Sequence, residues 1–353
     1  YHPDGKTIVA AGGDGTLRFI DAETGKITKE IQPIEVTKAD MQAAREITSN
    51  SEDAFVGEEA LPSGTQLKAL EVSPETISLN GKHDYVQLLV TGLLNTGDRV
   101  DVTRMASTSA SSKAINISPL GRVTFNSAGQ AEITVSLGQQ SVKIPVTTIA
   151  HDASHVTSFI KEVNPVLSRL GCNQGTCHGA KDGKNGFKLS LRGYDPVYDV
   201  RAFTDDLKSR RTNVASPDNS LMLLKASGSV PHVGGQLTVP GEAYYEVIRK
   251  WIAEGCQLDM SAPRVVSISL QPENPVIQNI GGRQQFRVLA SYTDGSQKDV
   301  THEAYISSSN TEVADVNRVG VVTSVRRGEA PILARFEGAY VATTLTAMGD
   351  RSG

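Results

Sequence analysis

The stretch "ASYTDGSQKDVTHEAYISSSN", residues 290–310, sets the rhythm that decides most of this chain. Short β-prone runs alternate there with compact polar turns such as Thr293-Asp294-Gly295. The layout extends over residues 263–349, and residues 67–149 repeat it. In the earlier segment the runs are 70–72, 86–90, 100–102, 122–125, 131–137 and 142–146. Turns at Asn80-Gly81, Thr96-Gly97-Asp98 and Ser127-Ala128-Gly129 punctuate them. Short alternating strands at regular spacing specify a β-sandwich, so the chain is expected to carry two.

Four marks make the later segment specific: Tyr292-Thr293-Asp294-Gly295, Lys298-Asp299-Val300-Thr301, Ser307-Ser308-Ser309-Asn310 and Gly320-Val321-Val322-Thr323. With them, residues 263–349 resemble the bacterial Ig-like group 2 family, Tyr305 standing where a Trp is common. Residues 67–149 show a weaker form, with Gly121-Arg122-Val123-Thr124 as the counterpart of the last mark. The resemblance implies rigid spacers or adhesive units, with a glycan or another surface partner as the candidate ligand.

Residues 1–33 read as a β-meander. Turn signals at Asp4-Gly5, Asp14-Gly15 and Thr24-Gly25 separate runs at 7–11, 16–20 and 26–31. The segment resembles one WD40 propeller blade, with Ile20-Asp21 in place of Trp-Asp, and is expected to be the remnant of a propeller. The stretch Gly12-Gly13-Asp14-Gly15 lacks the following helix a phosphate cradle needs, so it reads as a turn. Residues 34–66 read as linker, with a short helix over "TKADMQAAREI".

Residues 150–262 differ in character. Phe159, Val163, Val166, Leu167 and Leu170 fall at helical spacing, and Pro165 either opens that helix or kinks it. "EAYYEVIRKWIAEG", residues 242–255, is a second amphipathic helix with Gly255 as its stop. Between them lies "GCNQGTCHGA", residues 171–180, with Cys172, Cys177 and His178. Four residues separate the thiols, where a haem-attachment motif has two. Taken alone, the spacing leaves thioether attachment, a disulfide and a metal knuckle open. Zinc wants about four ligands and an iron–sulfur cluster four cysteines; the chain has three cysteines in all.

This segment also resembles the cytochrome-c-like domain of planctomycete-type multidomain proteins. The match rests on Phe159, Val163, Pro165, Cys172, Gly175, Cys177, His178 and Gly179, then "GKNGFKLSLRGYDP" (183–196), "SLMLLKASGSVPHVGG" (220–235), Trp251-Ile252 and Gly255. It implies a fold class that is mainly β with one α domain: two Ig-like β-sandwiches flanking a small all-α cytochrome c-like domain. It implies one covalent haem c per chain, attached through Cys172 and Cys177, with His178 as proximal iron ligand. A four-residue gap occurs in that family, and here it demands a bulge, expected near Gly175. The loop that carries a Met in standard monohaem cytochromes holds His232 instead, so His178 and His232 are the expected metal ligands, with Met222 and Met260 as competitors. Arg192, Arg210 and Arg211 are candidates for pairing with the propionates. Phe187, Leu189 and Leu191 alternate as a short strand that would wall the pocket.

The expected function is therefore outer-sphere electron transfer within a larger extracytoplasmic protein, to a redox partner the sequence does not identify. This segment reads as an electron carrier rather than a catalyst. Two alternatives stand beside it: a structural or adhesive Ig-like scaffold with a degenerate, haem-free cytochrome fold, and the non-catalytic part of a larger enzyme. The balance of 35 basic and 39 acidic residues gives no sign of a nucleic-acid partner. No apolar run approaches the roughly 20 residues of a spanning helix. The sequence opens at Tyr1 without an initiator Met or a signal-peptide pattern, which reads as an internal piece of a longer protein.

Overall fold

A computed structural model describes residues 5–11, 17–31, 59–150, 155–205 and 210–349. The glycine-rich turn at 12–15 and most of the 34–66 linker, with its expected helix, lie outside the described residues.

Alternation in the sequence becomes alternation of burial in both sandwiches. In the first module, Gly129–Leu137 and Gln140–Ile149 pair antiparallel and bury every second side chain. Ile77–Asn80 adds in parallel beside Gln140–Ile149, and Ser107–Ala110 closes the other edge. A second layer pairs Leu67–Ser73 with Leu89–Leu94 and Arg99–Asp101. A small third sheet holds Ile115–Ile117, Arg122–Phe125 and Tyr85–Gln87. Leu79, Leu88, Val123, Ile133, Val135 and Ile144 are fully buried between the layers. Each such side chain contributes roughly 1.5–3 kcal/mol relative to exposure.

The second module repeats the plan strand for strand. Val276–Ile277, Ala339–Ala347, Gly328–Phe336 and Tyr305–Ser308 form one sheet in that order. Val265–Gln271, Arg287–Tyr292 and Gln297–Asp299 form the second. Arg283–Gln285, Val321–Ser324 and Ala314–Val316 form the third. Phe286, Val288, Ala290, Ile332 and Leu345 fill its core.

Two expectations are corrected. Residues 150–262 do not form an all-α cytochrome c-like domain: the described chain is mainly β, with 39% strand and 14% helix. The helices of this central unit are short, running over Asn164–Arg169, Pro196–Thr204, Leu221–Ala226 and Ala243–Ala253. Left-handed glycines at 171, 183, 186, 193, 228, 235, 241 and 255 break the chain between and after them. That backbone conformation cannot propagate a helix. The N-terminal strands Thr7–Ala11, Leu17–Asp21 and Ile27–Ile31 form a three-stranded meander. A propeller blade has four strands. Among the described residues this sheet has only three strands, and four of the five residues in the third are exposed.

The two Ig-like modules are locked to each other by a reciprocal contact. The Gln87 amide donates to Asp299 Oδ2 at 2.8 Å, and the Gln285 amide donates to Asp101 Oδ2 at 2.6 Å. Each aspartate uses its other oxygen locally. Asp101 Oδ1 accepts from the amide and hydroxyl of Thr103, and Asp299 Oδ1 accepts from those of Thr301. Those hydroxyls in turn accept the amides of Val90 and Val288, both at 2.9 Å. The glutamine side chains follow suit: Gln87 Nε2 donates to the Leu88 and Leu120 carbonyls, and Gln285 Nε2 to those of Phe286 and Val319. Leu120, Val319 and Val321 form a small apolar plug across the junction. The contact thus has the self-complementary form of a twofold interface within one chain.

Its two ends differ chemically. At one end the Tyr85 hydroxyl donates to Glu303 and accepts from the His302 amide, and its ring meets the His302 ring edge-on at 4.9 Å. Burial holds the His302 imidazole well below its usual range, so it stays neutral. At the other end Glu59 joins Arg104 at 2.5 Å and Arg283 at 3.2 Å.

Asp101→Ala and Asp299→Ala should each destabilise the chain, read as lowered denaturant midpoints, and Asp101→Ala also removes the buried pair with Arg104. Each leaves buried donors unpaired, at about 1–3 kcal/mol for each group. The exposed Lys143→Ala should change the midpoint far less.

Candidate functional site

The central unit is tied at its ends before it presents any chemistry. The Thr157 amide donates to Glu254 Oε2 at 2.7 Å, and Lys250 Nζ to the His155 carbonyl at 3.2 Å. Ser158 caps a single π-type turn, Phe159–Val163, with Glu162 reaching back to the Ser158 amide. Pro165 then opens the first turn of Asn164–Arg169, so the segment is kinked rather than one straight helix. Its buried residues Phe159, Val163, Val166 and Leu167 pack into a core with Leu223, Ile248 and Trp251. The unit leans on the second module, where Tyr244 Oη donates to the His302 carbonyl at 3.2 Å. Arg169 donates to the carbonyls of Ala304 and Arg318.

That scaffold ends in Gly171, which turns the chain out of the helix at φ +80°. The Cys172 amide still donates back to the Leu167 carbonyl at 3.0 Å. The following loop closes on itself: the His178 amide donates to the Cys172 carbonyl at 3.0 Å, and the Cys177 and Gly179 amides to the Gln174 carbonyl. A six-residue step is thereby folded so that both thiols and the imidazole belong to one compact loop. The expected pivot, Gly175, is not the constrained glycine. It has ordinary backbone and open surroundings, and a Cβ there would meet only Leu191 Cδ1, at 3.6 Å. Gly179 carries the constraint, because a Cβ there would stand 2.0 Å from the Asn173 carbonyl oxygen.

Cys172, Cys177, His178 and His232 line one cleft of about 1830 Å³, together with Phe187, Arg210 and Met222. Both modules contribute to its walls, through Tyr85 and Arg122 on one side and Lys298 and Tyr305 on the other. The two imidazoles are held alike. His178 Nδ1 lies 3.0 Å from the Phe187 carbonyl, and His232 Nδ1 lies 3.1 Å from the Gly235 carbonyl. A backbone carbonyl can only accept, so each Nδ1 carries a proton, and in a neutral ring Nε2 keeps the lone pair. Gly234 makes room for the His232 ring, since a Cβ there would meet Cε1 at 2.9 Å. Burial lowers the His178 pKa from its ordinary value, and nearby His232, Lys184 and Arg211 add to that. Phe187 packs on His178 at 4.7 Å and on Phe203 at 5.1 Å. It sits beside an isolated bridge to Lys184 rather than in the expected strand. Leu189 is buried in the core and Leu191 is exposed.

The three arginines separate. Arg210 and Arg211 both line the cleft. Arg211 is buried, donates to the carbonyls of Ala202 and Gly186, and stacks over Phe187 at 4.6 Å. Arg192 lies outside the cleft lining and donates to the Tyr340 hydroxyl at 2.9 Å. Met260 is exposed and also outside the lining. All three cysteines are unpaired. Among the described residues, no group of three or more His, Cys, Asp or Glu side chains is placed to hold a metal ion. The thiols and imidazoles alone therefore do not make a zinc or iron–sulfur cage. The sequence reading missed the aspartate clips at 101 and 299, although their Asp-Val-Thr signature appears in both modules.

Residues 264–335 match the bacterial Ig-like domain (group 2) family, as expected for the second module. The chain is 25% identical over 270 residues to Ice-binding protein 1 of Shewanella frigidimarina (strain NCIMB 400), covering 76% of this chain. The match spans only 27% of that relative's length. Among solved structures, the surface layer protein SbsC, domains 1–6, aligns over 96% of this chain and 32% of its own, at 11% identity and a TM-score of 0.23. Domains 5–6 of the same S-layer protein align over 81% of this chain and 99% of theirs, at 12% identity and a TM-score of 0.32. No helix among the described residues is long and apolar enough to cross a membrane.

Burial pushes the Cys172 thiol up to about 12, and the neighbouring Cys177 adds to the shift. At pH 8 roughly one part in 10⁴ of it is thiolate. Iodoacetamide followed by mass spectrometry should label Cys177 first. Labelling of Cys172 should be slow and rise about tenfold per pH unit between 8 and 10.

Proposed function

We propose that this chain is a structural section of an extracytoplasmic surface protein, an Ig-like scaffold with an adhesive or spacing role. The observation that carries the reading is the match of residues 264–335 to the bacterial Ig-like group 2 family. A first module of the same plan, clipped to the second, supports it by making the pair one stiff unit. Such a unit suits load-bearing or ligand display better than catalysis. The test is protease digestion of intact cells of the producing bacterium, read with an antibody to the second module. Loss of the signal without lysis is expected. A signal protected in intact cells and recovered in the cytosol would contradict the scaffold reading.

A second reading concerns the cleft, favoured by two unpaired thiols beside an imidazole whose Nε2 is left free. The donor set fits a covalently attached haem. Cys172 and Cys177 would hold it, His178 and His232 would ligate its iron, and Arg210 would face its carboxylates. A haem so held supplies one-electron transfer. The chain's own residues orient both imidazoles through backbone carbonyls, and Phe187 and Met222 give the cleft apolar lining. A pyridine haemochrome spectrum on protein made with haem-attachment machinery should show one covalent haem per chain, lost in Cys172→Ala/Cys177→Ala. Apo-protein under those conditions removes this reading and leaves the scaffold reading intact.

A further inference from the structure

The outer face of the second module carries a row of side chains of which only Tyr305 also lines the cleft. Tyr305 lies opposite Arg335, and Arg335 lies opposite Tyr340, on three adjacent antiparallel strands. Directly opposed residues project from the same face of a sheet. Here it is the outward face, because the neighbours Ile306 and Ala334 are buried in the core. Tyr305 and Tyr340 are 47% and 55% exposed. The Arg335 guanidinium sits 4.0 Å from the Tyr305 ring centroid. A second guanidinium arrives from the central unit, where Arg192 Nη1 donates to the Tyr340 hydroxyl at 2.9 Å.

Two features of this row call for a ligand. The first is electrostatic. Among the described residues, neither Arg192 nor Arg335 forms a salt bridge to a carboxylate. Yet they are close enough that Arg192, after burial, helps to depress the Arg335 pKa. Like charges gathered without a counter-ion are unfavourable, and a bound anion relieves that repulsion. The second is conformational. Arg192 has a left-handed backbone, φ 60°, a region that L side chains other than Asn and Asp seldom enter. Backbone held in such a region clusters at ligand sites.

We propose that Arg192, Arg335, Tyr305 and Tyr340 form a recognition site for an acidic saccharide, one whose sugar carboxylates pair with the guanidiniums while its ring faces lie along the tyrosines. Guanidinium forks match carboxylates bidentately, and tyrosine offers an apolar face with a polar tip. The row crosses the strands and spans roughly 10 Å at ordinary strand spacing. A ligand lying along it runs perpendicular to the strands, which suits a short chain of sugar rings. An acidic peptide adding to a sheet edge would run parallel to them. The site gives the adhesive reading a ligand class and rests on that reading only for where the ligand is met. Surface exposure and saccharide binding are measured separately, so either can fail alone.

The test is calorimetric titration of the whole chain with tetragalacturonate, with cellotetraose, sodium sulfate and oligoglutamate as comparisons. Saturable binding of tetragalacturonate is expected, weakening with added salt. It should fall at least tenfold in Arg192→Asn/Arg335→Gln and stay unchanged in the exposed Lys68→Gln. Asn suits the left-handed backbone at 192. If near-UV circular dichroism shows that the double variant is misfolded, Arg192→Asn alone and Tyr340→Phe supply the same comparison. Absent saturable binding, or equal binding to the arginine variants, overturns the site. Equal binding of cellotetraose, sulfate or oligoglutamate overturns the saccharide assignment.

Discussion

Two buried aspartates hold this chain in its shape. Asp101 and Asp299 each satisfy a local Asp-Val-Thr corner with one oxygen and an amide of the other module with the second. An unpaired amide or carboxylate at such a junction would be costly, so each clip is strongly favoured once its partner module is in place. Reciprocity gives the junction two fasteners of the same plan around the Leu120, Val319 and Val321 plug, and Arg104 adds an ion pair to the Asp101 one. The modules are more than 100 residues apart in sequence, yet they meet side by side, and the central unit becomes the connection looped between them.

The cleft depends on that arrangement. Its thiol and imidazole wall comes from the central unit, while Tyr85 and Arg122 come from the first module and Lys298 and Tyr305 from the second. The Tyr85 hydroxyl that accepts the His302 amide also ties the wall to the junction. The Arg169 contacts with the Ala304 and Arg318 carbonyls anchor the helix that leads into Cys172. A change at the junction is therefore transmitted to the walls of the cleft through packed, hydrogen-bonded groups.

Much of the fold was legible in the sequence because strand alternation is a local signal. The run 131–137 and its turn at Ser127-Ala128-Gly129 could be read without knowing any partner strand. The gathering of Cys172, Cys177, His178 and His232 in one cleft was also legible, through the motif and the Pro231-His232 loop. The central architecture was not. The helical spacing from Phe159 to Leu170 is real, but spacing does not register a π-type turn followed by Pro165. Nor does it register how often left-handed glycines interrupt the unit. The arginines were read by charge alone, whereas burial decides their roles: Arg211 is consumed by two carbonyls and an aromatic ring. The clips were invisible because their partners are set by tertiary packing. Asp299 was visible as part of a family mark, but nothing local pointed to Gln87.

Native-state hydrogen exchange at the Gln87 and Gln285 amides tests the account most directly. Both should exchange as slowly as the core amides of Val90 and Val288. Asp299→Ala should release Gln87 and Asp101→Ala should release Gln285, each ahead of the other. Fast exchange at both amides in the unaltered chain would show that the modules are not clipped together and would contradict the architecture described.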